Sequence, residues 1–539
     1  MSWRSGSIAL AKKQGDEQKM TISLRHDMNR LARRAGLMAG AASLAIFFGG
    51  FAKADIPLYG SGDFSASAAL GTGFGAFAVP QANFGLGTYK AGTSDRVATH
   101  TPNWMEGFVK PELKLTYHNG DVGTIFGDFS AVAAGTVGRG DANFSTTTYG
   151  NPIQADFEEA YIGYANDMPF GNPGDTAILT VGRQAFSVGD NFLIGSGTGS
   201  VGQRGGYWLA PRTAFNGFGT LKLNADPVRA DFFVLQNNVD QRLTRGYDYP
   251  KTQFGGVNAE YFITSGVAGA DGATNYADRQ FYIGLTYFNV FRADNGANNS
   301  GYFTNDQAAA NGTTALAQGG DRDGMNVYSV RIGGNPFSGP PIIANASIYG
   351  EYVREVNNSA SRKVNANAYY AEAGYAFPDF WAKPKISYRY AHFSGDKVSS
   401  YDSASQTKHA YDPMFYSAGP RDYGSWYMGE ITGQYLLFNT NDDVHMINLT
   451  LQPTPTWKVM AIYYRFMLDQ PAAYGISSRH YDDEINLVGE YAYSSSTNFA
   501  IVGGVAKAAA GARAALSAPD GTGLHDKAYV LEGSVTINF

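Results

Sequence analysis

Charged residues alternate with apolar ones in many short segments of this sequence, and the alternation limits the chemistry they can do. In residues 108–117, Val109 and Leu113 alternate with Lys110 and Lys114, which is the period of two that a β-strand imposes on its two faces. If the apolar face contacts lipid, a basic residue on that face at the midplane costs roughly 2–4 kcal/mol. If the strands close into a barrel, such charges should therefore face its interior. Charges that line a pore select a solute by size and sign.

The same sorting over the whole chain predicts an interior lined by charges of both signs. The residues assigned to the pore lining on this basis are Lys222, Arg229, Arg331, Arg389, Arg465, Glu159, Asp231, Glu351 and Glu372. The same inward phase is shared by Lys110, Glu112, Lys114, Asp128, Glu260, Lys385, Glu490 and Glu532. The predicted interior is polar, with neither sign in clear excess.

A second group of charges surrounds the glycine-rich loop at residues 185–213. Arg183 precedes this loop, Arg204 and Arg212 lie within it, and Asp190 is assigned to the same lining. Arg183 has the phase of lipid-facing residues, so either a bulge at Gly182 turns it inward or its strand ends there. We expect an inward Arg183 near the constriction and a preference for anions. The alternative is that these arginines pair with wall carboxylates and only maintain the shape of the barrel.

Catalytic, cofactor and metal sites are not expected. The chain has no cysteine, which excludes thiolate chemistry and cysteine-ligated zinc. No Gly-Lys-Ser/Thr sequence follows the glycines at 195–199, as a phosphate-binding loop would require. The carboxylates at 442–443 and 482–484 are explained more simply as solvated loop charges than as a cation site. A hydrolytic site on the outer face of a barrel, near His445, is the enzymatic alternative.

The first 54 residues have the pattern of a secretory signal peptide. Basic residues precede an apolar run at 35–51, and Ala52-Lys53-Ala54 provides a small-x-small site, so we expect cleavage after Ala54. Without this leader, 32 basic and 44 acidic residues remain, a net charge of −12 that argues against nucleic-acid binding. No linker or shift in composition divides residues 55–539, so one large unit is expected.

The segments of residues 55–539 are joined by connections that alternate between short and long. Outer-membrane barrels have short periplasmic turns and long extracellular loops. The pattern therefore favours an all-β fold, an antiparallel transmembrane β-barrel. The last segment, residues 529–539, alternates apolar with polar residues and ends on Phe539, as a closing strand does. Glu532 should then face the lumen where the last strand meets the first.

Nineteen segments have a strand-like pattern, but a barrel with both termini in the periplasm needs an even number of strands. We predict eighteen strands and leave out residues 425–438, since counting them would place the long loop at 394–424 in the periplasm. Residues 425–441 then belong to an extracellular loop, and the loops at 185–213 and 394–442 are expected to fold into the pore. The alternative makes 425–438 a wall strand and rejects the faint first strand near 61–71.

Several short motifs resemble one known family. They are FEEAYIGY at 157–164, TVGRQ at 180–184, Gly189-Asp190 with the glycine-rich run after it, and residues 429–441 before a Pro-turn hairpin. In these motifs the chain resembles the alginate-export family of outer-membrane barrels. The resemblance implies an eighteen-stranded porin with an arginine-rich lumen that conducts an anionic polysaccharide.

These patterns predict a passive, non-enzymatic channel in the outer membrane of a Gram-negative bacterium. Its expected partners are outer-membrane lipid and lipopolysaccharide, an anionic polysaccharide or small anionic solute, and periplasmic export proteins, with no nucleic acid. The alternative is a specific or general uptake porin for small carboxylates or sugars. An outer-membrane hydrolase and a closed structural barrel are less favoured.

Overall fold

The structure is a computed structural model. It describes residues 55–85, 88–89, 96–97, 101–120, 122–139, 153–172, 174–197, 205–206, 208–238, 251–263, 281–293, 322–336, 341–358, 363–397, 407–516 and 524–539. The predicted signal peptide lies outside these residues. Within the described ranges, no helix has both the length and the apolar character needed to cross a membrane.

Nineteen strands form a single antiparallel sheet. In chain order they are β1 (Ile56–Ser61), β2 (Phe64–Ala78), β3 (Asn103–Asn119), β4 (Gly123–Arg139), β5 (Ile153–Asn166), β6 (Thr176–Arg183), β7 (Asn216–Ala225), β8 (Val228–Gln236), β9 (Thr252–Phe262), β10 (Phe281–Ala293), β11 (Asn326–Gly334), β12 (Ala346–Asn357), β13 (Val364–Ala376), β14 (Lys385–Phe393), β15 (Asp442–Thr454), β16 (Trp457–Leu468), β17 (His480–Ala492), β18 (Thr497–Ala508) and β19 (Lys527–Asn538). A separate ribbon pairs Thr88–Tyr89 with Arg96–Val97.

The sheet closes on itself through β2, which pairs with β3 along one edge and with β19 along the other. Leu70 and Phe539 complete this seam by exchanging both backbone hydrogen bonds, each 2.9 Å long. Strands β2–β19 therefore form a closed ring of eighteen, which confirms the predicted fold. The nineteenth strand, β1, pairs only with the start of β2 and lies outside the ring.

Polar and apolar residues separate onto the two faces of this wall as the alternation predicts. Large apolar side chains such as Val109, Leu113, Leu487 and Leu531 are exposed on the outer face. Glu532 is buried on the inner face, beside Phe77 across the β2–β19 seam. An exposed apolar band around a polar inner wall is the surface of a barrel that lies in a membrane.

Residues 425–438 form helical turns instead of a wall strand. A 3₁₀ turn at Ser425–Tyr427 is followed by a π-helix at Gly429–Leu437, and the backbone turns left-handed at Met428 (φ 42°) and Phe438 (φ 54°). The alternative with a wall strand here is wrong, and β2 supplies the faint first strand. The remaining short helices are Ala82–Gly85, Pro341–Ala344, Pro471–Tyr474 and Ala510–Ala515.

Candidate functional site

Most of the charged residues whose place in the alternation predicts an inward orientation do lie on the inner face of the barrel. Lys110 and Glu159 form an ion pair at 3.3 Å, and Arg229 and Asp231 form another at 3.1 Å. Lys222, Arg331, Glu351, Glu372 and Arg389 also follow the inward phase of their strands. The same holds for Glu112, Lys114, Asp128, Glu260, Lys385, Glu490 and Glu532. The inner wall thus holds charges of both signs.

Arg465 lies on the outer face of β16, and its predicted inward orientation is wrong. Its side chain is 48% exposed and forms an ion pair at 2.8 Å with Asp483, which also faces outward. The inward positions on this strand include Ile462, Tyr464 and Phe466, all buried. Because both faces of β16 are largely apolar, hydrophobicity gave no contrast by which to identify the lipid side.

Arg183 lies at the end of β6, where the strand becomes irregular. Gly182 has a φ of +126°, and the Arg183 side chain is 16% exposed. Its guanidinium donates to the carbonyl oxygen of Glu158 at 2.6 Å and to Oδ1 of Asn216 at 2.6 Å. These contacts hold the arginine against the wall where the loop at 185–213 begins.

A β-bulge in β5 turns two consecutive glutamates toward the interior. The register shifts opposite Ser130, so Glu158 and Glu159 are both buried although they are neighbours in sequence. Glu158 accepts hydrogen bonds from the backbone N–H groups of Thr213 and Ala214 at 2.5 and 2.8 Å. The bulge thereby fixes the end of the loop at 185–213 to the wall.

The other two arginines of this loop have different positions in the structure. Arg212 is buried, and its guanidinium donates to the carbonyl oxygen of Gly205 at 3.2 Å. Arg204 lies outside the described residues. The anion preference that we predicted for these arginines stays a prediction.

Replacing Gly182 by alanine should destabilise the barrel by about 1–3 kcal/mol. A Cβ at this position would lie 2.3 Å from the Ala160 carbonyl oxygen, and the φ of +126° disfavours any side chain. The measurement is the urea midpoint of the refolded protein. Gly503→Ala is the matched control, because a Cβ at Gly503 meets no heavy atom within 4 Å. Equal midpoints for the two variants would contradict the prediction.

Two arginines and three carboxylates form one connected group, which we call the arginine cluster: Asp190, Glu372, Arg389, Arg421 and Asp422. Arg389 pairs with Glu372 at 2.7 Å and with Asp422 at 2.8 Å. Arg421 pairs with Glu372 at 2.7 Å and with Asp190 at 2.5 Å. The cluster joins wall strands β13 and β14 to both long loops, because Asp190 belongs to one loop and Arg421 and Asp422 to the other.

Aromatic rings cover the two guanidiniums of the arginine cluster. The guanidinium carbon of Arg389 lies 4.4 Å from the ring centre of Trp426, and that of Arg421 lies 4.1 Å from the ring centre of Tyr349. Trp426 is fully buried, and its Nε1 donates to the backbone carbonyl oxygen of Asp190 at 2.8 Å. Cation–π contacts of this kind gain strength where water is excluded.

Carboxylates of β17 hold the helical turns of residues 425–441, which we call the inner segment. Glu484 accepts hydrogen bonds from the backbone N–H groups of Ile431 and Thr432 at 3.0 and 2.8 Å. The hydroxyl of Thr432 donates to Asp482 at 2.5 Å. These are N–H groups of the first helical turn, which have no partner inside a helix. The wall therefore caps the inner segment.

A second group of carboxylates, which we call the acidic cluster, lies at the start of the π-helix: Glu430, Asp482, Glu484 and Glu532. Burial and the nearby Glu484 raise the pKa of Glu430 to about 8. Glu532 interacts electrostatically with Glu430, Glu106 and Glu484. The inner segment thus contacts mixed charges at Trp426 and mainly negative charge at Glu430.

An aromatic core that was not among the predicted features fills part of the lumen. Phe254 stacks on Phe415 with ring centres 4.5 Å apart, Phe215 contacts Phe254 at 5.7 Å, and Phe186 contacts Phe233 at 4.9 Å. Phe233 and Phe254 belong to the wall, and the other three rings lie beyond the ends of the strands. The alternation along the strand could have predicted this for Phe233, because it lies two residues from the inward Asp231 and so shares its face.

Two groups of side chains have metal-ligand geometry within the described residues. His392, Asp443 and Asp469 place ligand atoms within 4.8 Å of one another, as do Glu112, Asp128 and Glu159. Each group also has basic or proton-donating neighbours. The hydroxyl of Tyr390 donates to Asp443 at 2.8 Å, and Lys110 contacts Glu159 at 3.3 Å. Spacing in the sequence gave no sign of either group.

His445 faces outward, as its phase predicts, with its Nδ1 2.8 Å from the Tyr388 hydroxyl. Within the described part of the chain, no hydrogen bond joins His445 to a serine or an aspartate. Its cross-strand neighbours are Tyr390 and Arg465. Among the described residues, the hydrogen-bond partner of His445 is therefore a tyrosine and not the serine or aspartate of a hydrolytic pair.

Comparison with known proteins supports the fold through solved structures. No family model matches the chain, and no curated protein matches it. The crystal structure of Acinetobacter baumannii OccAB4 has a TM-score of 0.50 and 10% identity, over 88% of this chain and 98% of that one. Pseudomonas aeruginosa OccK11 (OpdR) has a TM-score of 0.47 and 10% identity, over 88% and 96%. The likeness to OccAB4 supports the closed eighteen-stranded β-barrel fold, and the resemblance to the alginate-export family is not confirmed.

Proposed function

We propose that this protein is a passive outer-membrane porin for a small hydrophilic solute that carries a carboxylate group. The observation that carries the proposal is the arginine cluster, where Arg389 and Arg421 lie in the lumen between the wall and both long loops. A guanidinium binds a carboxylate through two parallel hydrogen bonds. Arg421, whose side chain is 11% exposed, is the more accessible of the two, and a solute carboxylate that displaces Glu372 or Asp190 from it would bind there.

The charge balance of the interior favours recognition at this cluster over bulk anion attraction. Carboxylates are at least as frequent as basic residues on the described inner wall, so the lumen as a whole does not concentrate anions. Two fixed arginines on aromatic rings give a local binding position instead. A small carboxylate or an acidic sugar is the solute class that fits such a position.

Export of an acidic polysaccharide is the second candidate. The arginines that favour small carboxylates would also favour uronate groups of a polymer. The aromatic core and the inner segment argue for the smaller solute, because an extended chain needs an unobstructed path along the barrel. Currents through single channels, measured with small carboxylates, neutral sugars and acidic oligosaccharides as blockers, separate the two candidates.

Removing both arginines should shift the channel toward cations. In a salt gradient across a planar bilayer, the double variant Arg389→Ala/Arg421→Ala is expected to change the reversal potential in the cation-selective direction and to lose block by small carboxylates. Arg421→Lys keeps the charge but loses the bidentate geometry, so it should keep the reversal potential and weaken the block. Arg354→Gln, on the outer face of β12, is the control.

Two outcomes would oppose the proposal. A bilayer that stays sealed after insertion of folded protein would contradict the channel. An unchanged reversal potential together with unchanged block in the double variant would contradict the role of the arginine cluster. Heat-modifiable migration in gels verifies that each variant is folded.

A further inference from the structure

Charged residues form one row across the outer face of four neighbouring strands. Arg465 on β16 lies directly across from Asp483 on β17, Asp483 from Lys507 on β18, and Lys507 from Lys527 on β19. Arg465 and both lysines are exposed, and the row has three cations for one anion. The neighbouring Asp526 interacts electrostatically with both lysines but is itself paired with Arg513 at 2.6 Å. Charges on the lipid-facing side of a barrel are costly near the midplane and tolerated at its edges.

The row lies at the extracellular edge of the apolar band. Arg465 is eight residues above Trp457 on β16, which is about 26 Å along a strand and roughly 20 Å across the membrane at a tilt near 40°. Trp457 stacks on Tyr491 at the opposite, short-turn end, where an interfacial aromatic belt is expected. The row belongs to the end with long connections, which faces the cell exterior in outer-membrane barrels.

The wall below the row is suited to acyl chains. Ile485, Leu487, Ile501 and Leu531 are exposed on β17, β18 and β19, in the positions that descend from the row toward Trp457. An amphiphile with its chains along this surface would place its headgroup at the height of the row. Three basic side chains at that height match a headgroup that carries phosphate.

We propose that the row Arg465, Lys507 and Lys527 binds the phosphate groups of lipopolysaccharide in the outer leaflet. The proposal rests on the outer-membrane location of the proposed porin. The Nε of Arg465 donates a hydrogen bond to Asp483 at 2.8 Å, so its terminal nitrogens can donate to a phosphate. Asp483 holds Arg465 in place and separates it from the lysines.

The test uses the full mature chain in detergent micelles, with bisphosphorylated lipid A as the probe and native mass spectrometry as the readout. The triple variant Arg465→Gln/Lys507→Gln/Lys527→Gln should bind about 100-fold more weakly, from roughly fivefold for each basic side chain near an anionic surface. The double lysine variant should bind more than tenfold more weakly, and since both lysines are exposed it should fold like the wild type. Arg354→Gln, an exposed outward arginine outside the row, should bind like the wild type.

Dephosphorylated lipid A and phosphatidylglycerol are the comparison ligands. The wild type should prefer bisphosphorylated lipid A to both. Equal binding of dephosphorylated lipid A would show that acyl chains alone decide the affinity and would overturn the proposal, as would equal binding by the triple variant. Equal binding of phosphatidylglycerol would overturn the assignment to lipopolysaccharide. Conductance of the triple variant should stay unchanged, so a failure here is distinct from a failure of the porin proposal.

Discussion

Replacing residues 425–438 by a short Gly-Ser linker is expected to raise single-channel conductance several-fold. The inner segment consists of helical turns, and a helix with its side chains is roughly 10 Å across. An eighteen-stranded barrel without such filling leaves an aqueous channel. Because conductance grows with the open cross-section, removal of the helical turns should have the largest effect of any change in this chain.

The linker leaves in place the contacts that order the rest of the long loop. Thr440 donates to the Tyr411 carbonyl oxygen at 2.7 Å, and Asn441 contacts Gln470 through both its side-chain oxygen and its nitrogen. The shortened loop can therefore still join β14 to β15. Unchanged conductance in this variant would show that residues 425–438 do not obstruct the path of ions.

A disulfide tether tests the same point without a deletion. The chain has no cysteine, so Thr432→Cys/Asp482→Cys introduces the only pair, at two side chains whose oxygens are 2.5 Å apart. Oxidation should fix the inner segment to β17, and reduction should allow it to leave and raise the conductance. Each single-cysteine variant is the control, and its conductance should not respond to reductant.

The wall was predictable because lipid on one side and polar contents on the other give most strands two distinct faces. The prediction that β8 spans 228–236 agrees with the observed bounds Val228–Gln236, since Phe232 and Val234 contrast there with Arg229 and Asp231. The count of eighteen followed from parity and loop lengths, which depend on topology. It needed no knowledge of side-chain contacts.

The lumen was less predictable because its filling comes from loops distant in sequence. Arg465 was placed inward since β16 is apolar on both faces, and Tyr464 is buried by loop contacts that no local pattern reveals. The arginine cluster includes Arg421, which was not among the predicted pore-lining residues. Its partner Asp190 is more than two hundred residues away in the chain, so only the closed barrel brings the two together.

Raising the pH should favour release of the inner segment from the wall. The pKa of Glu430 is about 8 where the segment is docked, against about 4.3 for a glutamate in water. The docked state thus keeps a proton that the released state loses. Docking is at full strength below about pH 4.3, weakens by up to about tenfold per pH unit as pH rises toward 8, and is constant above that.

The direction follows from the groups that face Glu430. Burial disfavours its charged form first, and Glu484 adds repulsion. Glu532 on β19 adds a further acidic group, and Tyr423 and Tyr427 are the titratable groups beside Glu430 on its own loop. The acidic cluster offers no described cation to stabilise an ionised Glu430, so ionisation must oppose docking.

Single-channel recordings between pH 5 and 9 measure this effect as the fraction of time spent in a high-conductance state. That fraction should rise with pH in the wild type and should depend much less on pH in Glu430→Gln, which stays neutral and keeps the segment docked. Glu490→Gln, a carboxylate on β17 that pairs with Lys458, is the matched control and should keep the wild-type pH response. If Glu430→Gln responds to pH as strongly as the wild type, a group other than Glu430 controls the release of the inner segment. Loss of the response in this variant would locate the controlling proton at Glu430, because the substitution removes only that acid from the acidic cluster.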